Sequence, residues 1–259
     1  MNIEIWYDLI CPWCYLGKRR LESVLVDFAG EVTMTFRAYQ LDPAPAAAGA
    51  LAGARAGAEA EAPVPAGAED PVLADADAGA DAAAPVPAGA PVLAPLPVKQ
   101  AMAAKVGGPE QAEQMLGHVT AIARGEGLAI DYDRAVAANT FDAHRLVAWA
   151  AAQELQINMI ETLQRAHFVD GVDLGSPAEL ARLAGSIGLD EQAALAYLAT
   201  QAGTDAVNAD LAEARELDIT SVPTFVIDRK YVVQGAQEPA ALRSALEEIA
   251  RREAVDAAR

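Results

Sequence analysis

The sequence predicts an α/β fold that is interrupted by an all-helical segment and by a low-complexity stretch. A strand–helix–strand pattern fills residues 1–42. A second α/β pattern fills 204–259, and nearly everything between 98 and 203 has helical spacing. The domain expectation is therefore an α/β unit built from 1–42 and 204–259, a linker over 43–97, and a helical insertion over 98–203.

The chain opens on Ile3, Ile5, Trp6, Tyr7, Leu9 and Ile10, an apolar run suited to a strand covered on both faces. Beyond it, Leu16, Leu21, Val24, Leu25 and Phe28 recur at helical spacing around Arg19 and Arg20, and Gly30 ends the run. Between the two lies Cys11-Pro12-Trp13-Cys14, so a CxxC pair sits where a strand turns into a helix. Pro12 suits the first helical turn, where a missing N–H costs nothing. Residues 31–41 alternate well enough to form a second strand and complete a βαβ unit.

From Pro43 to Pro97 the chain holds 23 Ala, 10 Pro and 6 Gly and no aromatic residue. The stretch 62–74 is nearly repeated over 84–94. With so little bulky apolar surface to offset its ordering entropy, and with prolines interrupting any helix, the segment is expected to be a flexible linker.

Two helices follow, Lys99–Lys105 and Glu110–Gly125, split by Gly107-Gly108-Pro109; Met115, Val119 and Ile122 are expected on the buried face of the second. Asn139 or Thr140 caps a helix to about Leu155, and another runs from Ile157 to Phe168 and stops at Gly171. Ser176-Pro177-Ala178-Glu179 is a capping box with proline at its first helical position, and Asp190 caps the next helix. A helix from Thr204 or Asp205 to Leu217 precedes a strand over Ile219–Asp228. A turn at Asp228-Arg229-Lys230 leads to a hairpin partner, Tyr231–Gln234, and the last helix starts at Pro239. Pro223 stands at the start of its strand, where only an edge position or a special bend tolerates proline.

Chemistry concentrates at the CxxC. Cys11 lies at a helix start, where free N–H groups and the helix dipole stabilise a thiolate, and Cys14 follows one turn later on the same face. Cys11 is thus the expected exposed nucleophile and Cys14 the resolving thiol. A structural disulfide over so short a loop would constrain the unfolded chain little. A zinc site needs about four ligands, and His118, His144 and His167 show no ligand spacing to the pair. Trp6, Tyr7, Trp13 and Tyr15 bracket the motif as a candidate apolar surface for substrate, although Trp6 and Tyr7 are equally suited to the core. Asp8 reads either as a proton relay for Cys14 or as an acid that ends the strand and caps the helix. His144 and Arg145 either reach substrate or pack between the two parts of the molecule.

A net charge of −18 without any basic stretch excludes nucleic acid and anionic membrane surfaces as expected partners. With no targeting pattern at the start and no apolar run of membrane length, the expectation is a cytoplasmic protein, monomer or homodimer, in which a CxxC is catalytic rather than structural. A non-enzymatic binding module using the acidic linker is the alternative class.

Tyr7-Asp8-Leu9-Ile10-Cys11-Pro12-Trp13-Cys14-Tyr15-Leu16-Gly17, Tyr39-Gln40-Leu41-Asp42, Asn139-Thr140-Phe141-Asp142-Ala143-His144-Arg145 and Ile219-Thr220-Ser221-Val222-Pro223-Thr224-Phe225-Val226 together resemble the thioredoxin-fold DsbA family, in particular its FrnE-like branch. The resemblance implies a thioredoxin fold with an inserted helical domain and thiol–disulfide oxidoreductase activity. It implies no bound cofactor, with glutathione as a conceivable co-substrate, and a disulfide-containing protein or small thiol as partner. It also implies a cis-proline loop, Val222-Pro223, facing the CxxC and contacting substrate together with Pro12 and Trp13. Related 2-hydroxychromene-2-carboxylate isomerases and kappa-class glutathione transferases are similar around Tyr7-Asp8 and Asn139-Thr140 but carry serine where this chain has Cys11. A glutathione-dependent isomerase or transferase is therefore the alternative activity.

Overall fold

The computed structural model describes residues 1–42 and 95–257. Strand β1 (Asn2–Tyr7) leads into helix α1 (Pro12–Leu25) and strand β2 (Thr33–Ala38). A helical series follows: α2 (Val98–Lys105), α3 (Pro109–Gly125), α4 (Phe141–Ala151), α5 (Gln156–Arg165), α6 (Pro177–Ser186), α7 (Glu191–Leu198) and α8 (Thr204–Glu216). Strands β3 (Thr224–Ile227) and β4 (Tyr231–Gln234) and helix α9 (Pro239–Ala257) complete the described chain. The expected linker falls outside the described residues except for its last three. There Leu96 is buried, its carbonyl accepts the Ala137 N–H at 2.7 Å, and Pro97 bridges to Val136.

The four strands form one mixed sheet in the order β2-β1-β3-β4. β1 runs parallel to β2 and antiparallel to β3, with Ile5 opposite both Phe36 and Phe225. Position 5 is therefore the middle of the sheet, and Ile3, Ile5, Trp6 and Tyr7 are all buried, as apolar side chains on both faces of the strand require. α1 packs against α9, and α8 packs against β2. A single core cluster runs from Ile3 and Phe225 through Leu146, Met159 and Leu163 to Leu180 and Leu246, so sheet and helices bury apolar surface against each other.

One charge of the sheet is buried with its partners. Glu4, 2 % exposed, accepts from Arg37 at 2.6 Å and from Arg229 at 2.9 Å. Burial works to raise the carboxyl's pKa, but these two guanidinium contacts outweigh it and hold the group below its ordinary value. Arg229 occupies the β3–β4 turn with a positive φ of 56°, next to Asp228 at 49°. Two successive left-handed residues suit the twist of a tight hairpin, here without glycine.

Several expected boundaries shift. The buried face of α3 is Ala112, Leu116, Val119 and Ala123; Met115 is 43 % exposed, since the stripe that meets the core lies one position further along. α4 stops at Ala151 rather than Leu155 because residues 152–154 leave the helix, with Glu154 at a positive φ of 62°. α5 gives way after Arg165 to a π-helical turn, Ala166–Asp170, which ends at left-handed Gly171. That turn buries Ala166, His167 and Phe168 in succession, which a regular amphipathic helix does not do. Two of the predicted caps hold: the Ser176 hydroxyl accepts from the Glu179 N–H, and the Asp190 carboxylate from the Ala193 N–H. At α4 the N-cap residue is Thr140, whose side chain makes no cap bond, while the Asn139 side chain before it accepts the Phe141 N–H at 2.9 Å.

Candidate active site

Cys11 is the N-cap residue of α1, in extended conformation, and Pro12 is the first helical residue. The carbonyl of Cys11 accepts the N–H groups of Cys14 (3.0 Å) and Tyr15 (3.1 Å). Because Pro12 has no N–H, the first turn is left with that of Trp13. No disulfide joins the two sulfurs in this structure. Cys11 is 3 % exposed and Cys14 2 %, so the expectation of an exposed outer thiol does not hold, because the cis-proline loop and the helical elements close over the turn.

Environment separates the two sulfurs where burial does not. Cys11 Sγ donates to the Val222 carbonyl at 3.6 Å. The Val222–Pro223 bond is cis, as the resemblance implied, and both residues are buried. Gly17 explains how the loop comes so near: a Cβ at that position would lie 2.8 Å from Pro223 Cγ. A glycine inside a helix is a costly choice that close approach of another chain segment justifies. Cys14 is pushed well up from its ordinary pKa, first by burial, then by its hydrogen bond to Cys11 and the charge of Cys11; the Asp8 main-chain N–H opposes this and the Asp8 charge adds to it.

Asp8 is fully buried beneath the pair. It does not cap α1, whose N-cap is Cys11. Instead its Oδ2 accepts the Leu41 N–H at 2.7 Å, holding the segment that follows β2, and its Oδ1 has no hydrogen-bond partner among the described residues. His144 Nε2 lies 3.5 Å from that oxygen and 3.0 Å from the Tyr39 carbonyl. His167 is 1 % exposed, its Nδ1 has no partner among the described residues, and burial lowers its pKa to about 4 against the opposing charge of Asp8. Thr140 Oγ1, both side-chain polar atoms of Gln164, and Tyr132 OH are likewise buried without partners.

Arg145 takes no part in this cluster. Its guanidinium donates to the carbonyls of Tyr197, Leu198, Thr200 and Ala202 and to Asp142, tying the α7–α8 connection to α4. Lys18 and Arg20 also point elsewhere: Lys18 pairs with Glu22 and Glu161, Arg20 with Glu126 and Glu238. The outer rim is aromatic. Trp13 is 37 % exposed with its ring 6.4 Å from that of His118, and Tyr15 stacks on Phe168 at 5.3 Å. Of the residues singled out from sequence, Cys11, Pro12, Trp13, Cys14, Asp8, Val222 and Pro223 meet at this turn. Tyr132, Gln164 and His167 were not singled out as site residues. No motif marks them. Among the described residues, no group of three His, Cys, Asp or Glu side chains is placed to hold a metal ion, and no helix is long and apolar enough to cross a membrane.

Comparison with known proteins agrees with this geometry. The model of the DSBA-like thioredoxin domain matches residues 2–60 and 86–247. A crystal structure of the probable DsbA oxidoreductase SCO1869 from Streptomyces coelicolor is 30 % identical, with a TM-score of 0.74 over 96 % of this chain and 89 % of that one. A 2-hydroxychromene-2-carboxylate isomerase is 16 % identical, with a TM-score of 0.60 over 98 % of each chain. The cytosolic disulfide reductase DsbM from Pseudomonas aeruginosa, in its structure with GSH, is 17 % identical, with a TM-score of 0.57 over 97 % of this chain and all of that one. The last two likenesses concern the fold alone. No curated protein sequence matches the chain. Matched over most of its length by the domain model and by the Streptomyces coelicolor structure, the chain belongs to the DSBA-like thioredoxin domain family.

Proposed function

We propose that the chain is a thiol–disulfide oxidoreductase in which Cys11 attacks and Cys14 resolves. The observation that carries this reading is the contrast between two equally buried sulfurs: Cys11 faces the Val222 carbonyl on the cis-proline loop, whereas Cys14 is held as a thiol and lies next to Asp8. The Cys11 thiolate attacks one sulfur of a substrate disulfide. A Cys11–substrate bond forms, and the other substrate sulfur leaves with the bonding pair and takes up a proton. Asp8 then receives the Cys14 proton, and Cys14 attacks Cys11 Sγ. The Cys11–Cys14 disulfide forms and the second substrate thiol departs, so the substrate gains two electrons and the protein loses them. A thiol reductant of the glutathione class restores the dithiol, and run backwards the same steps oxidise a dithiol substrate.

Pro12 and Trp13 on one side and Val222 and Pro223 on the other are the surfaces that meet the substrate. The working compartment on this reading is the cytoplasm, in keeping with the named location of the DsbM relative. Trapping tests the assignment. Cys14→Ser should accumulate mixed disulfides through Cys11, and Cys11→Ser should have no insulin-reductase activity; full activity in Cys11→Ser would overturn it. A glutathione-dependent isomerase is the second reading, favoured by the end-to-end likeness to the 2-hydroxychromene-2-carboxylate isomerase fold. It requires turnover of such a substrate that survives loss of Cys14.

A further inference from the structure

The end of β1 and the segment after β2 are laced together around one imidazole. The Tyr39 N–H donates to the Tyr7 carbonyl at 2.9 Å, and the Leu41 N–H to Asp8 Oδ2 at 2.7 Å. His144, near the start of α4, is 3 % exposed and meets the Tyr7 ring edge-on at 5.2 Å. Its Nε2 lies 3.0 Å from the Tyr39 carbonyl, which can only accept, so Nε2 is the nitrogen that carries the proton. The same Nε2 is 3.5 Å from Asp8 Oδ1. Asp8 in turn is tied to the redox turn. Its carbonyl accepts the Cys11 N–H at 3.3 Å, and Tyr7, Cys11, Cys14 and Ala143 share one core cluster.

A fully buried carboxylate needs donors on both of its oxygens. Oδ2 has the Leu41 N–H, and Oδ1 has no hydrogen-bond partner among the described residues. Charge-assisted N–H···O contacts close to about 2.7–2.9 Å, so Nε2 needs a movement of only about 0.7 Å to bond Oδ1. An ionised Asp8 draws the Nε2 proton from the neutral Tyr39 carbonyl, because a charged acceptor makes the stronger bond. The other titratable groups that face Asp8 are Cys14 from α1, Tyr7 from β1, the Tyr39 phenol and His167 from the π-helical turn. Burial raises the pKa of the first three and lowers that of His167 to about 4, so none of them changes charge between about pH 5 and 8. Asp210 acts on Tyr7 and Arg215 on Tyr39, and on α4 itself Asp142 and Arg145 pair with each other.

We propose that His144 is a positioning residue whose Nε2–H donates a hydrogen bond to Asp8 Oδ1 when that carboxyl is ionised, and so keeps Asp8 ready to receive the proton of Cys14. The assignment rests on the proposed thiol chemistry and adds a residue to it. His144 neither gains nor loses a proton in the step. The Cys14 proton goes to Asp8, the Cys14–Cys11 bond forms, the substrate thiolate leaves, and the Nε2–H returns to the Tyr39 carbonyl.

A nitrobenzoate disulfide whose released thiolate is coloured reads the two chemical steps separately. With the reduced full chain, attack by Cys11 releases the first thiolate, and attack by Cys14 on the resulting mixed disulfide releases the second. In His144→Leu the acidic limb of the second release should move about one pH unit towards neutral, as loss of one hydrogen bond to a charged group implies. His144→Gln, whose amide brings a donor to the same place, should restore the limb. In an Asp8→Asn background His144→Leu should have no further effect. An unmoved limb, or one that moves as far for the first release as for the second, would overturn the proposal. Should His144→Leu not fold, the Nε2 proton resonance of the reduced wild type decides instead. It should move downfield as Asp8 ionises and stay still in Asp8→Asn; a wild-type resonance that does not move overturns the bond. A wild type that gives no second release would refute Cys14 as the resolving thiol, and the resonance would still decide on His144.

Discussion

Acid should destabilise this protein before its carboxylates titrate, and His167 is the reason. Its imidazole is 1 % exposed, Nδ1 has no partner among the described residues, and burial sets its pKa at about 4 in the folded chain. In the unfolded chain an ordinary histidine takes its proton near 6.5. Between those values the unfolded state binds more protons than the folded one, so stability is fully present above about pH 6.5 and is lost as pH falls towards 4. The gap of about 2.5 pH units corresponds to about 3 kcal/mol, a large share of a typical folding free energy. Glu4 acts in the same direction, but its pKa is lowered from 4.5, so its contribution is lost only below about that pH. Urea unfolding of the reduced protein at about pH 7, 6, 5 and 4.5 measures the slope, with His167→Gln as the non-titrating control. The variant is less stable at neutral pH through lost packing, yet its stability should hardly change across the window. Equal slopes in both proteins, or a His167 resonance that titrates near 6.5 in the folded state, would refute the reasoning.

At the alkaline end Cys14 should dominate. Its folded pKa is raised by burial, so stability is full below the unfolded thiol pKa of about 8.5 and then falls by about 1.4 kcal/mol per pH unit. Tyr7, also raised by burial, contributes only above about pH 10. Unfolding measurements on reduced wild type and Cys14→Ala check this, and the variant should lose the slope. Gly17→Ala places a Cβ 2.8 Å from Pro223 Cγ, and a proline ring has no flexible end to swing aside. Overpacking of about 1–3 kcal/mol against a helix-propensity gain of about 1 kcal/mol leaves a net loss of up to about 2 kcal/mol. Displacement of the loop from Cys11 should lower exchange activity further. A variant that melts at or above the wild-type temperature with full activity would contradict the close packing of α1 on the loop.

The sequence by itself determined the elements and the centre of the chemistry. The apolar run before Cys11, the helical spacing after it, Pro12 at the first helical position and the caps at Ser176 and Asp190 are local signals. Each depends on a residue's neighbours within a turn or two, so each survives without knowledge of the fold. The CxxC belongs to the same class, because its two sulfurs are brought together by a single turn of helix. Only the tertiary structure decided what surrounds that turn. The partner of Cys11 comes from residue 222, the acid contact of His144 from residue 8, and the aromatic chain of Tyr132 and Phe168 from elements that share no motif with the cysteines. The π-helical turn that buries His167 and Phe168 side by side interrupts a pattern that reads as ordinary helix, and the buried face of α3 lies one residue from where hydropathy alone puts it. Burial decided the rest. Whether a thiol is exposed or covered, and whether a histidine is neutral at pH 5, depends on desolvation by distant segments, which spacing along a chain does not encode.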